Sequence, residues 1–270
     1  MFTSIAFGGG GMRGTLHVGG LKALSEFQES LTFPNGIYGY SIGAVIATAV
    51  AFNLTLPQLE QMIEDSMNLE SVVKEVTLAC VYNLVQRCGM FQMDHVEESI
   101  VNAFLKQGVD LRGKSIDDAP QKLYIGASDL TTRKPVFFSG RVPLLSALRA
   151  SCCIPGFFQP QVIYDHVYVD GGLYMYYLDD YLPKDCLTFV VSYSPRSLYP
   201  TDLDGNLMEF AKQLYAGQRR PPKSKNALWF KEDKVHVIQE VTPGDRKRLL
   251  DEGYSQTLSF LTQRVAKESK

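Results

Sequence analysis

A serine with a glycine two residues away on each side, Gly39-Tyr40-Ser41-Ile42-Gly43, is the stretch best suited to covalent chemistry. A hydroxyl that attacks a carbonyl must stand clear of the backbone at a sharp strand-to-helix turn. Gly39 and Gly43 remove the Cβ atoms that such a turn would crush. The apolar runs Ile37 to Tyr40 and Ile42 to Phe52 supply the strand before and the helix after. The plainer reading makes Ser41 an ordinary helix N-cap.

A second pattern precedes it. Gly8-Gly9-Gly10-Gly11-Met12-Arg13-Gly14 lies between the first strand and the first helix. Gly9, Gly11 and Gly14 satisfy G-x-G-x-x-G, so a dinucleotide site has to be weighed. That fold needs an acid at the end of the second strand, where this chain has Gly39-Tyr40-Ser41, and a phosphate loop would need Lys-Ser/Thr after the last glycine. Consecutive glycines can instead turn several N–H groups toward one point at a helix N-terminus, which suits an oxyanion hole.

A hydrolytic serine also needs a proton acceptor. His17, His95, His166 and His236 fall in a first helix turn, an exposed helix start, a hairpin tip and a late strand, and read as structural or solvated. Asp170 ends the apolar strand Val167 to Val169 and is followed by Gly171-Gly172, where a carboxylate can point out of a sheet. An ordinary Asp-Gly turn is the alternative there.

Together these pieces resemble the patatin-like phospholipase family. The chain is similar to it in the loop Gly9 to Gly14, the G-x-S-x-G of Gly39 to Gly43 and the acid motif Asp170-Gly171-Gly172. Two further stretches look like family segments: Ile125 to Leu130 with Lys134 to Phe137, and Ala150 to Pro160. The likeness is good from Met1 to about Val190 and holds only in outline beyond. Many members carry Asp before the three glycines, where this chain has Gly8. The resemblance implies a three-layer α/β/α fold with a mainly parallel central sheet. It also implies a Ser41–Asp170 dyad without a histidine, an oxyanion hole from Gly9, Gly10 and Gly11, and no cofactor or metal. Arg13 is expected beside the loop, supporting it or touching a phosphate. The implied activity is hydrolysis of fatty-acyl esters of glycerolipids. A catalytically silent lipid-binding module of the same fold is the alternative, and a dinucleotide binder the lesser one.

The elements that must position these groups alternate in type, as in an α/β sheet with helices on its faces. Strands are expected at Thr3 to Phe7, Ile37 to Tyr40, Leu123 to Ala127, Pro135 to Ser139, Leu187 to Ser192 and Val235 to Gln239. A hairpin is expected at Gln161 to Tyr164 with Val167 to Val169. Helices are expected at Leu16 to Glu29, Ile42 to Phe52, Leu56 to Asn68, Ser71 to Val85, Pro143 to Ser151 and Asp245 to Lys267. One more is expected to start with Asp94 as N-cap and Glu97 three residues later, and to stop at Gly108.

The 270 residues carry 27 Lys+Arg and 29 Asp+Glu, a net charge of -2, so no basic field favours a nucleic acid. The five cysteines include no C-x-x-C spacing and suggest reduced thiols in a cytoplasmic setting. Ser30 to Leu59 has no charged residue. Pro34, Gly36, Asn53 and Pro57 leave about 16 apolar residues there, short of a membrane span, and no leader is evident. A single domain over residues 1–270 is expected, close to a minimal catalytic unit. Contact with a membrane surface would fall to the basic segment Lys212 to Lys234 around Trp229 and Phe230, unless Trp229 is tucked into the core. Leu173 to Tyr181, with four tyrosines, is either an acyl-pocket lining or core. An activating protein partner is conceivable for such an enzyme.

Overall fold

The computed structural model describes residues 2–66, 77–175, 178–191, 223–232 and 241–268. Its strands are β1 (Ser4–Phe7), β2 (Gly36–Tyr40), β3 (Gly89–Phe91), β4 (Leu123–Asp129), β5 (Lys134–Phe138), β6 (Gly156–Phe158), β7 (Gln161–Ile163), β8 (His166–Asp170), β9 (Leu187–Val191) and β10 (Ala227–Phe230). The helices are α1 (Thr15–Leu24), α2 (Ile42–Ala51), α3 (Leu56–Ser66), α4 (Leu78–Arg87), α5 (Asp94–Lys106), α6 (Leu144–Cys152) and α7 (Pro243–Glu268).

Among the described residues the central sheet has eight strands in the order β10-β9-β1-β2-β4-β8-β7, with β5 added to β4. From β10 to β4 every pairing is parallel; β5, β7 and β8 run antiparallel to their neighbours. The fold is a three-layer α/β/α arrangement around a mainly parallel sheet. β1 and β2 are buried along their whole length, as parallel strands covered on both faces must be, and this is why they read as unbroken apolar runs. α2, with the sequence IGAVIATAVA, is apolar all round and buried from Gly43 to Ala51.

One detail of pairing matters for the site. β4 pairs with β2 through Leu123–Gly126 and with β8 through Ala127–Asp129. Because β5 lies along the other edge of β4 from Ile125 to Asp129, β2 and β8 share one edge end to end. The last rung of β2, Tyr40 opposite Gly126, is followed at once by the rung Asp170 opposite Ala127.

α1 and α7 cross almost backbone to backbone. A Cβ on Gly19 would lie 2.1 Å from the Leu250 carbonyl oxygen, and one on Gly253 would lie 2.2 Å from that of Leu16. No helix among the described residues is long and apolar enough to cross a membrane.

Several expectations are corrected. Asp94 is the first residue of α5, not its cap, and Met93 holds the cap position. The Asp94 and Glu97 carboxylates instead bind the Arg149 guanidinium of α6, at 2.8 and 2.9 Å, so tertiary pairing displaced the local cap. α1 stops at Leu24, five residues before the expected Glu29. The short strands β3, β6 and β10 were not anticipated, because three or four residues carry too little pattern to register. The strand Val235 to Gln239, His236, and the stretches 67–76 and 192–222 lie outside the described residues.

Candidate active site

Ser41 links the end of β2 to the start of α2 with φ 57° and ψ -135°, a conformation that a residue with a side chain adopts only at a cost. The two flanking glycines make that turn possible. A Cβ on Gly39 would stand 2.2 Å from the Gly43 carbonyl oxygen, and one on Gly43 would stand 2.2 Å from that of Phe7. α2 therefore starts directly behind β1, with Ser41 at the C-terminal ends of the parallel strands. Open parallel sheets bind their ligands at this end.

The glycine run leaves β1 alongside the same point. Gly8 prolongs the β1–β9 pairing by donating its N–H to the Phe189 carbonyl at 2.8 Å. A Cβ on Gly9 would lie 2.7 Å from Tyr40 Cε2 and 3.0 Å from Ser41 Cβ, so the loop rests on the elbow itself. One on Gly10 would meet the Val191 side chain at 3.0 Å, and one on Gly14 would meet Ile42 Cγ1 at 2.5 Å. Gly11 has φ 57° and opens a short 3-10 turn, Gly11–Gly14, that runs into α1.

Two buried side chains hold this loop from within. Arg13 is turned inward rather than toward solvent, with 2% of its surface exposed. Its Nε donates to the Gly10 carbonyl at 3.2 Å and its Nη1 to the Glu232 carbonyl at 3.4 Å. That placement corrects the phosphate-contact option, since a buried guanidinium has no path to a solvent-borne phosphate. His17 Nε2 lies 2.8 Å from the Gly8 carbonyl oxygen. A carbonyl can only accept, so Nε2 carries the proton. The ring is fully buried among Phe7, Phe189 and Phe230, and burial pulls its pKa down to about 4, helped by the nearby Arg13 charge. His17 is thus a neutral structural group under the oxyanion candidates, not a base.

Asp170 closes β8 with 2% of its surface exposed. Its N–H donates to the Cys153 carbonyl at 2.7 Å, and its Oδ1 accepts from the Gly172 N–H at 2.8 Å, capping the turn Gly171–Leu173. Gly171 has to be small, because a Cβ there would lie 2.7 Å from Tyr40 Cβ and 3.0 Å from the Gly126 carbonyl oxygen. Asp170 and Ser41 therefore extend from strand ends that abut on one edge of β4. The carboxylate is also felt by the adjacent thiols. Burial first, and then the Asp170 charge, push Cys153 up to about 12 and Cys152 well above the usual thiol range.

Two serines were not singled out as functional by their types and spacing. Ser151, in the last turn of α6 and fully buried, accepts from the Ser41 N–H at 2.8 Å and donates to the Gly126 carbonyl at 2.7 Å. Ser128 of β4 donates to the Gly171 carbonyl at 3.2 Å and accepts from the Tyr174 N–H at 3.0 Å. Both lie inside the stretches noted above for their family likeness. A hydroxyl that serves backbone groups distant in sequence leaves no spacing signature of its own.

Other candidates fall elsewhere. Met175 and Leu178 of the tyrosine-rich stretch are buried with Tyr38, Tyr40 and Cys186, and so belong to the core; Tyr176 and Tyr177 lie outside the described residues. Trp229 and Phe230 form part of β10, and Phe230 is fully buried against Phe189, so the aromatic pair is not a free lipid-facing loop. Most of the basic segment around them lies outside the described residues. His166 Nδ1 lies 2.8 Å from Asp129 Oδ2 at the outer end of the β7–β8 hairpin. No group of three or more His, Cys, Asp or Glu among the described residues could hold a metal ion.

Comparison with known proteins places this geometry in context. Residues 5–177 match the family described as patatin-like phospholipase. An uncharacterised NTE family protein of Mycobacterium tuberculosis is 28% identical over 171 residues, covering 63% of this chain and 42% of that protein. The uncharacterised protein YqhO of Bacillus subtilis is 26% identical over 176 residues, covering 59% of this chain and 58% of its own. The chain thus matches less than half of the mycobacterial relative's length. Among solved structures, VipD from Legionella pneumophila superposes with a TM-score of 0.58 at 14% identity, covering 97% of this chain and 67% of that one. ExoU in its heterodimeric complex with SpcU, from the type III secretion system of Pseudomonas aeruginosa, gives 0.51 at 16% identity, over 97% and 52%. At these identities the two structures bear on the fold alone.

Proposed function

Since the chain belongs to the patatin-like phospholipase family, we propose that it is a serine acyl hydrolase acting on fatty-acyl esters of glycerolipids, with Ser41 as nucleophile and Asp170 as its base. The observation that carries the reading is the positive-φ elbow at Ser41 with Gly9 packed against it. A strained serine beneath a glycine loop is costly to build, and such strain persists where it serves chemistry.

The steps follow from the arrangement. Asp170 takes the proton of the Ser41 hydroxyl as Oγ forms a bond to the ester carbonyl carbon. The carbonyl electrons move to oxygen, and N–H groups of Gly9, Gly10 and Gly11 stabilise that oxyanion together with the positive end of the helix beyond Gly14. The tetrahedral species collapses, the C–O bond to the glycerol side breaks, and the departing alkoxide takes the proton from Asp170. Water then attacks the acyl-serine, giving its proton to Asp170; in the second collapse the C–Oγ bond breaks, Asp170 returns that proton to Oγ, and the fatty acid leaves. A dyad suffices because the carboxylate itself accepts the proton. His17, the histidine next to the loop, is held neutral as a donor to Gly8.

The test is covalent labelling by a fluorophosphonate, followed by a lipid panel scored for released fatty acid by position. Wild type should be labelled at Ser41 and release fatty acid, and Ser41→Ala and Asp170→Asn should do neither. Vesicle binding without labelling or turnover would identify a silent lipid-binding module instead.

A further inference from the structure

Ser151 and the carbonyl two residues after it hold the backbones of both proposed dyad residues. The Ser41 N–H donates to Ser151 Oγ at 2.8 Å, and the Asp170 N–H donates to the Cys153 carbonyl at 2.7 Å. From this we infer that the end of α6, through Ser151, is a positioning device that sets the nucleophile elbow against the acid. The inference rests on the acyl-hydrolase reading above and assigns a residue to it.

The hydrogen-bond directions are fixed by chemistry rather than chosen. An amide N–H only donates and a carbonyl only accepts, so Ser151 must accept from Ser41 and donate to Gly126. Its single proton is thereby committed, and its rotamer is fixed by two partners inside a fully buried site. The two groups it serves are those the topology would otherwise orphan. β2 ends at the Tyr40–Gly126 rung and β8 ends at the adjoining Ala127–Asp170 rung, so the chain turns away at Ser41 where β4 changes partner. A buried amide and carbonyl left without partners there would each cost roughly 1–3 kcal/mol, and one hydroxyl satisfies both.

A consequence follows for the oxyanion. In hydrolases built on G-x-S-x-G, backbone N–H groups at the elbow and on a neighbouring loop share the developing charge. The elbow donor in that pattern is the N–H of the residue after the nucleophile, here Ile42, so the Ser41 amide held by Ser151 fixes the elbow that aims it, beside the glycine loop packed on Ser41 Cβ. Because a displacement of about 1 Å costs on the order of 10²-fold in rate, loss of this tether should slow chemistry while leaving substrate binding intact.

The experiment compares wild type, Ser151→Ala and Ser151→Cys on a soluble short-chain ester and in the rate of fluorophosphonate labelling. Circular dichroism and thermal melting report folding. Ser151→Ala is expected to lose about 10²-fold in kcat and in labelling rate with KM unchanged. Ser151→Cys, which keeps the shape with a weaker donor and acceptor, should recover part of it. A folded Ser151→Ala with wild-type kcat, or with a raised KM and intact kcat, overturns the inference. Should the alanine variant not fold, Ser151→Cys carries the same comparison, and a wild-type labelling rate in it overturns the inference. Absence of labelling in wild type itself would instead overturn the hydrolase reading, and this inference with it.

Discussion

Gly9 lies so close to Ser41 that a Cβ built on the glycine would stand 3.0 Å from the serine Cβ and 2.7 Å from the ring of Tyr40. Tyr40 is 2% exposed and cannot swing aside, so a side chain at position 9 must displace the loop rather than its neighbour. Gly9→Ala should therefore fold but misplace the oxyanion donors, lowering kcat about 10²-fold, the scale of losing one donor. Steady-state kinetics on a soluble ester checks this, and a wild-type kcat would remove Gly9 from the site.

The elbow implies a trade between stability and activity. A serine at φ 57° and ψ -135° stores about 1–3 kcal/mol of backbone strain, which glycine would relieve. Ser41→Gly and Ser41→Ala should both be inactive, but the glycine variant should be the more stable by about 1 kcal/mol. Urea unfolding of the two proteins decides it, and an alanine variant of equal or greater stability would show that the turn is unstrained.

Much of this arrangement is legible in the sequence. The serine motif, the glycine run and the Asp-Gly-Gly each stand at a junction of elements, and steric need at such junctions writes glycine into the sequence. Gly39, Gly43 and Gly171 all face backbone or Cβ atoms where no side chain fits. Ser151, by contrast, meets its partners 110 and 25 residues away in the chain, and no local pattern encodes such a meeting. The same holds for Asp94, whose local fitness as a cap lost to Arg149, an ion-pair partner 55 residues on. Arg13 does stand beside the loop, as expected, but its burial depends on packing that residue spacing does not encode.

His17 makes acid stability predictable. Its pKa falls from 6.5 to about 4 on folding, with burial the main cause. Below pH 6.5 the unfolded chain binds a proton that the folded one refuses, so this contribution is complete above 6.5 and is lost as pH falls toward 4. The shift corresponds to about 3 kcal/mol. His17→Gln should flatten the dependence of the urea midpoint on pH between 6.5 and 4 relative to wild type; a wild-type slope would reject the assignment.

Thiol chemistry offers a separate check on the acid. The cysteines are free, and Cys88 is exposed, whereas Cys153 and Cys186 are buried and pushed up to about 12, burial being the main cause. With an aromatic disulfide reagent at pH 8, Cys88 should react at once, and Cys153 and Cys186 only on unfolding. Asp170→Asn should bring Cys153 partway back toward the ordinary range, read as a lower midpoint in a thiolate absorbance titration of the folded protein. An unchanged midpoint would place the carboxylate's charge elsewhere.

The division of one edge of β4 between β2 and β8 has a meaning for how the protein fails. Serine and acid come from distant parts of the chain, yet both are referenced to the same few peptide groups, Gly126 to Ser128. Partial opening that frees α7 or β10 leaves that reference untouched, whereas opening at β4 dismantles both halves together. Activity in mild denaturant should therefore persist through the loosening of the periphery and then vanish in one step with protection of the β4 amides, without a half-assembled intermediate.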